Sequence, residues 1–178
     1  MTTKAAAIEW TPDLSVGIEA LDDDHKTVFV VVDLMQSVLR EEPPLNLEAI
    51  LRCLLKMLQE YICGHFLREE RAMEMARFPG LEEHRGWHDA FRTKIERFVE
   101  DYNKIRDHGE HKKAAQHLAD IVQCWCVDHI AKSDKSYADY LRPEHVDPRP
   151  LVFLCQEADT SGEADDFDLI ARNSVSPE

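Results

Sequence analysis

The chain has 178 residues, a formal net charge of −14 and only 6 glycines among many Leu, Ala, Glu and Lys. That charge argues against nucleic acid as a partner, because phosphate-binding surfaces need clustered Lys and Arg, and no apolar run approaches the ~18 residues of a membrane-spanning helix. The length suits one domain, and the composition suits an all-α one with a real hydrophobic core. The opening residues hold no apolar run of signal-peptide length, so a cytoplasmic address is expected. Five cysteines (Cys53, Cys63, Cys124, Cys126, Cys155) form an odd set without framework spacing, which favours reduced thiols over disulfides.

Residues 1–20 contain Pro12 and Gly17 and no helical periodicity, so they read as an extended N-terminal arm. A first helix is expected from about 22 to 41, with Asp22 or Asp23 as its N-cap and Pro43-Pro44 as its stop. A second spans 46–76 and ends before the turn residues Pro79-Gly80. A third spans 81–106, with Asp107-His108-Gly109 as the turn after it, and a fourth spans 110–132. Short connections favour antiparallel neighbours, giving an up-down-up-down four-helix bundle over residues 21–142. Residues 143–178 hold nine acidic residues against two arginines, about half of the net charge. This tail is expected to be mostly disordered, with Leu151-Val-Phe-Leu154 able to dock on the bundle and a protein partner as one role open to it.

Apolar residues at alternating steps of four and three define one inward stripe per helix. The stripes are Leu21, His25, Val28, Val32, Met35, Leu39; Leu51, Leu55, Leu58, Ile62, His65, Glu69, Ala72; His84, His88, Phe91, Ile95, Phe98, Tyr102; and Ala115, Leu118, Val122, Trp125, His129. Each contains histidine. A lone core histidine usually finds an ordinary hydrogen bond, but an unpartnered buried polar group costs about 1–3 kcal/mol. Five histidines and a glutamate on four converging stripes are better explained by a metal, which turns every donor into a ligand.

His65/Glu69 and His84/His88 are i,i+4 pairs, able to meet one centre from one helix face. His129/Asp134 is i,i+5, about 140° apart on an ideal helix. Both can point inward only where the helix is distorted or ending. The candidate ligands are therefore His25, His65, Glu69, His84, His88, His129 and Asp134, too many for one zinc. Two six-coordinate ions need about twelve positions; two bridging carboxylates, the histidines and a shared oxo or hydroxo group fill all but one of them. Donor chemistry alone does not choose between iron, manganese and zinc.

With these residues in view, the sequence resembles the hemerythrin family, in particular its single-domain bacterial members. The resemblance rests on Ser15-Val-Gly-Ile18, Asp24-His25-Lys26, His65-Phe-Leu-Arg-Glu-Glu70, Met73, Phe78-Pro79, His84-x-x-x-His88-x-x-Phe91 and Trp125-x-x-x-His129-Ile130-x-x-x-Asp134, spread over residues 10–141. It implies two non-haem iron ions, carboxylate- and oxo- or hydroxo-bridged, that bind dioxygen reversibly. By the same resemblance His84, His88 and His129 complete one iron, His25 and His65 hold the iron with the open position, and Glu69 and Asp134 bridge. Val28, Phe66, Trp125, Cys126 and Ile130 are candidate walls of the dioxygen pocket. Hemerythrins commonly carry leucine where this chain has Cys126.

The expected function is thus a dioxygen carrier, store or delivery protein rather than an enzyme. A dioxygen or redox sensor, or a di-iron oxidase, peroxidase or nitric-oxide-reducing enzyme, would use the same ligands. Ferritin-like oxidases use Glu-x-x-His pairs, and no histidine here has Glu three residues before it. A zinc hydrolase lacks its His-Glu-x-x-His.

Overall fold

A computed structural model describes residues 9–40 and 46–161. Four long helices form the body: α1 (Glu19–Arg40), α2 (Leu47–Met75), α3 (Leu81–Tyr102) and α4 (His108–Asp128). A π-helical turn, His129–Asp134, prolongs α4 and leads into a short helical turn, Lys135–Tyr137. A further helix, α5 (Leu151–Ser161), follows a 3-10 turn at Pro143–His145. The side chains of His25, His65, His84 and His129 meet at one end of the bundle. They come from the start of α1, the end of α2, the start of α3 and the end of α4, so the rods alternate in direction as the short connections require.

The helix boundaries moved where local hydrogen bonding overrode the expected caps. Asp22 is not an N-cap; α1 begins at Glu19, and the Asp22 carboxylate reaches back to accept the Ser15 hydroxyl at 2.5 Å and the Val16 N–H at 2.8 Å. The bonds pin the arm to the first turn, and Gly17 between them sits at φ 79, a conformation that costs a glycine little. Asp107-His108-Gly109 is a helix start rather than a free turn, since the Asp107 side chain accepts from the N–H groups of Gly109 and Glu110. α3 stops at Tyr102, four residues short of the expected end. The Pro43-Pro44 stop lies outside the described residues.

Burial follows the stripes with two exceptions. Val99 takes the core position expected of Phe98, which is half-buried, and Cys126 is more deeply buried than its neighbour Trp125. Two apolar clusters result. The larger fills the bundle from Leu39, Leu47 and Tyr102 to Val28, Phe66 and Ile130. The smaller gathers Val16, Ile18, Leu21, Met73, Tyr137, Leu141 and Val146 beneath it. The layer between them is polar.

The first half of the tail is described, and its Leu151-Val-Phe-Leu154 run docks on the bundle through Leu151 and Leu154. Residues 143–161 are folded against the bundle: Val146 joins the smaller cluster, Leu154 is fully buried, and α5 lies along α2. The contact is close because α2 carries Gly64 there, where an added Cβ would meet the Leu151 carbonyl oxygen at 2.5 Å. Residues 162–178, and with them the rest of the tail's expected disorder and partner role, lie outside the described residues.

Candidate metal centre

All seven side chains singled out in the sequence come together in the polar layer. Glu69 is the hub: its carboxylate lies 3.6 Å from His25 Nε2, 3.5 Å from His65 Nε2, 3.6 Å from His84 Nε2 and 3.2 Å from His88 Nε2. Asp134 faces it, 3.3 Å from His25 Nε2, 3.5 Å from His84 Nε2 and 3.1 Å from His129 Nε2. The i,i+5 spacing of His129 and Asp134 is accommodated by the π-turn, whose wider winding brings residues five apart onto one face.

Six of the seven divide into two groups that share Glu69, and Asp134 lies close to histidines of both. His84, His88 and His129 form a tight trio with Nε2 atoms 3.1 Å apart along the chain His84–His88–His129. His25 and His65 form the second group, their rings edge to face at 4.9 Å.

Electrostatics favour a cation. Burial would neutralise His25, yet the carboxylates of Asp134 and Glu69 overcome it and raise its pKa to about 10. Burial likewise opposes charge on His88, but Glu69 and Glu70 raise its pKa. Burial would push the Glu69 carboxyl up, while the imidazoles of His65, His25, His84 and His88 hold it well below its usual range. Asp134 is lowered too, His129 and His25 outweighing burial and its repulsion by Glu69. Burial lowers the pKa of His129 despite Asp134.

Several donor atoms of the layer lack hydrogen-bond partners. His25 Nδ1 and Nε2, Glu69 Oε2, His84 Nδ1, and both Asp134 oxygens are buried with no hydrogen-bonded partner. Their ion-pair distances bring charges close without donor geometry. At about 1–3 kcal/mol per unsatisfied group, six such atoms would cancel most of the about 5–15 kcal/mol that holds a domain together. Imidazole nitrogens and carboxylate oxygens are the donors of a first-row ion, so bound cations resolve most of that cost at once. The donor set fits the group.

A surrounding shell orients the rings, and sequence reasoning had not assigned it. His65 Nδ1 lies 3.1 Å from Asp24 Oδ2, and Arg68 donates to both oxygens of that carboxylate at 2.7 and 2.6 Å. His88 Nδ1 is 2.7 Å from Glu70 Oε1, which Arg92 also serves at 3.0 Å. The Tyr137 hydroxyl donates to Glu69 Oε1. Asp24, Arg68 and Glu70 each adjoin a candidate ligand in sequence, which is the signal that could have found them; Arg92 and Tyr137 carry no such mark.

Aromatic side chains wall the layer. Phe66 lies flat on His88 with centroids 3.7 Å apart, and Trp125 is sandwiched between Phe91 at 3.9 Å and His129 at 4.1 Å. Of the five candidate pocket residues, Val28 and Cys126 line a cavity of about 10 Å³ between α1 and α4, with Phe29, Val32 and Gln123. Phe66, Trp125 and Ile130 do not line it; Phe66 and Ile130 are buried in the larger cluster and Trp125 packs at its edge.

Fold and site together define a metal-binding four-helix bundle with donors enough for two ions. Residues 16–141 match the family model described as the hemerythrin HHE cation binding domain, and the chain belongs to the hemerythrin family. It is 26% identical over 131 residues to a bacteriohemerythrin of Clostridium acetobutylicum, covering 73% of this chain and 98% of that one. It is 27% identical over 141 residues to a bacteriohemerythrin of Methylococcus capsulatus, covering 76% and 98%. To hemerythrin subunit 1 of Golfingia vulgaris it is 27% identical over 128 residues, covering 72% and 88%. The cofactor of this family is a pair of non-haem iron ions, and its function is the binding of dioxygen there. No helix among the described residues is long and apolar enough to cross a membrane.

Proposed function

We propose that this chain binds dioxygen reversibly, as a cytoplasmic carrier, store or delivery protein and not as an enzyme. His84, His88 and His129 would hold one iron, His25 and His65 the other, and Glu69 and Asp134 would bridge them. The observation that carries this reading is a donor set sealed between two apolar clusters, with all seven residues buried. When bound, the iron pair supplies the electrons for reversible dioxygen binding. The protein's part is to hold the donors and to keep out water and reductants, which would otherwise strand the pair in its oxidised form. Asp24 and Glu70 fix the ring orientation and tautomer of His65 and His88, and the Tyr137 hydroxyl fixes Glu69. Arg92 lies over the Phe66 ring at 5.1 Å and helps close the layer.

The deciding experiment loads the chain with ferrous iron without air, counts the iron, and follows the visible spectrum as dioxygen is admitted and withdrawn. Two irons per chain and an absorption band that appears and disappears with the gas are expected. Rapid one-way oxidation would replace the carrier by an oxidase or scavenger, and fewer than two irons would overturn the ligand assignment.

A further inference from the structure

Arg68 stands between two parts of the molecule. It is buried within α2, and one guanidinium nitrogen, Nη1, holds both oxygens of Asp24, whose Oδ2 meets His65 Nδ1. The other, Nη2, donates to the main-chain carbonyl of Arg149, in the segment that leads into α5. That carbonyl lies beyond residue 141, where the match to the family model ends. Its position is set by how α5 sits: Leu154 is fully buried, Leu151 approaches the bare backbone at Gly64, and Glu157 pairs with Arg71 of α2 at 3.0 Å.

We propose that Arg68 is a positioning residue that couples the seating of α5 to His65, so that the C-terminal helix tunes one of the two metal positions and not the other. The physical basis is the fork of the guanidinium, whose donors are rigidly spaced, so that fixing one arm on a main-chain oxygen fixes the direction of the other. Asp24 then presents its oxygen to His65 at a set angle, and the ring's far nitrogen is aimed accordingly. The trio of His84, His88 and His129 has its own support at His88, in Glu70 and Arg92. An unseated α5 would therefore loosen His65 while leaving the trio in place. The inference rests on the proposed ligand role of His65.

The test uses the full chain, stripped of metal and titrated with cobalt(II), whose absorption reports each site without redox chemistry. Wild type should bind two ions. Arg68→Met should weaken one of them by about 10–100-fold, as loss of a supporting hydrogen bond to a ligand does, with Arg68→Lys recovering part of the loss through its charge on Asp24. Leu154→Asp, which unseats α5, should weaken the same ion less. Gly64→Ala, which crowds the Leu151 carbonyl, gives a second way to unseat it should Leu154→Asp fail to fold. The decisive reading is the combination: with Arg68→Met in place, either unseating change should have no further effect. Effects that add within about twofold, equal weakening of both ions, or no change on unseating α5 would each overturn the coupling. Binding of fewer than two ions by wild type would instead overturn the ligand assignment beneath it. In the metal-free protein, the His65 Nδ1 proton should exchange faster with solvent in every unseated variant, by nitrogen-15 NMR; unchanged exchange would also sink the proposal.

Discussion

Cys126 borders a small cavity between α1 and α4. It is buried beside Val28 in a cavity whose 10 Å³ is near the lower limit of on the order of 10–15 Å³ needed to hold one water. Burial pushes its thiol pKa far up, with the Asp134 charge adding to the effect. Alkylation at pH 8 should therefore modify the exposed Cys53 and Cys124 and spare Cys126 until the protein is unfolded, as peptide mass mapping would show. Cys126→Leu should close the gap and lengthen the lifetime of the oxygenated form, timed by its visible absorption; an unchanged lifetime would separate the cavity from autoxidation. Tyr137→Phe leaves a buried Glu69 oxygen without its donor and should cost about 1–3 kcal/mol in a denaturant titration. Six of the seven donors were legible because each falls on the stripe of its helix, and Asp134 through its awkward spacing from His129, but Tyr137 was not. Its bond to Glu69 joins positions 68 residues apart, and nothing local announces it.

Among the elements, the awkward spacing of His129 and Asp134 was readable as a demand for distortion, and the π-turn meets it. Caps were read less well. Asp22 looked like a helix start because aspartate suits that place, yet its carboxylate was more strongly used by Ser15 and Val16 of the arm. Asp107 was read as turn and acts as cap, so Asp107→Ala should lower stability by about 1 kcal/mol, seen as a lower melting temperature by circular dichroism. The swap of Phe98 for Val99 on α3 marks the limit of a fixed stripe: a straight helix drifts against a seven-residue repeat, and by the fifth turn the next residue faces inward. The docking of Leu151–Leu154 was readable, but not that the segment forms helix α5. Its acidic surroundings read as solvated chain, whereas what holds it is tertiary: Leu154, the bare backbone of Gly64, and the Arg149 carbonyl on Arg68.

Over the whole molecule, charge and metal act together. With the metal removed, His25 is held as an imidazolium by Asp134 and Glu69. Its folded pKa of about 10 lies above the ordinary 6.5, so its contribution is complete below 6.5 and is lost as pH rises through 10. Glu69 and Asp134 shift downward, so their contribution is lost in acid. Metal-free protein should thus be most stable on the acid side of neutrality and weaken between pH 6.5 and 10, whereas metal-loaded protein should show little change over that window. Chemical denaturation at pH 6 and 10 of both forms checks this; a metal-free form equally stable at both would contradict it.

The donors occupy only one end of the rods. Away from it, Met35, Leu39, Leu55, Leu58, Ile95, Leu118 and Val122 interlock as plain hydrocarbon, with His111 beside Tyr102 at the far end. A chain built this way can assemble its distal half before any ion arrives, so that iron enters a cup already shaped rather than gathering loose ligands around itself.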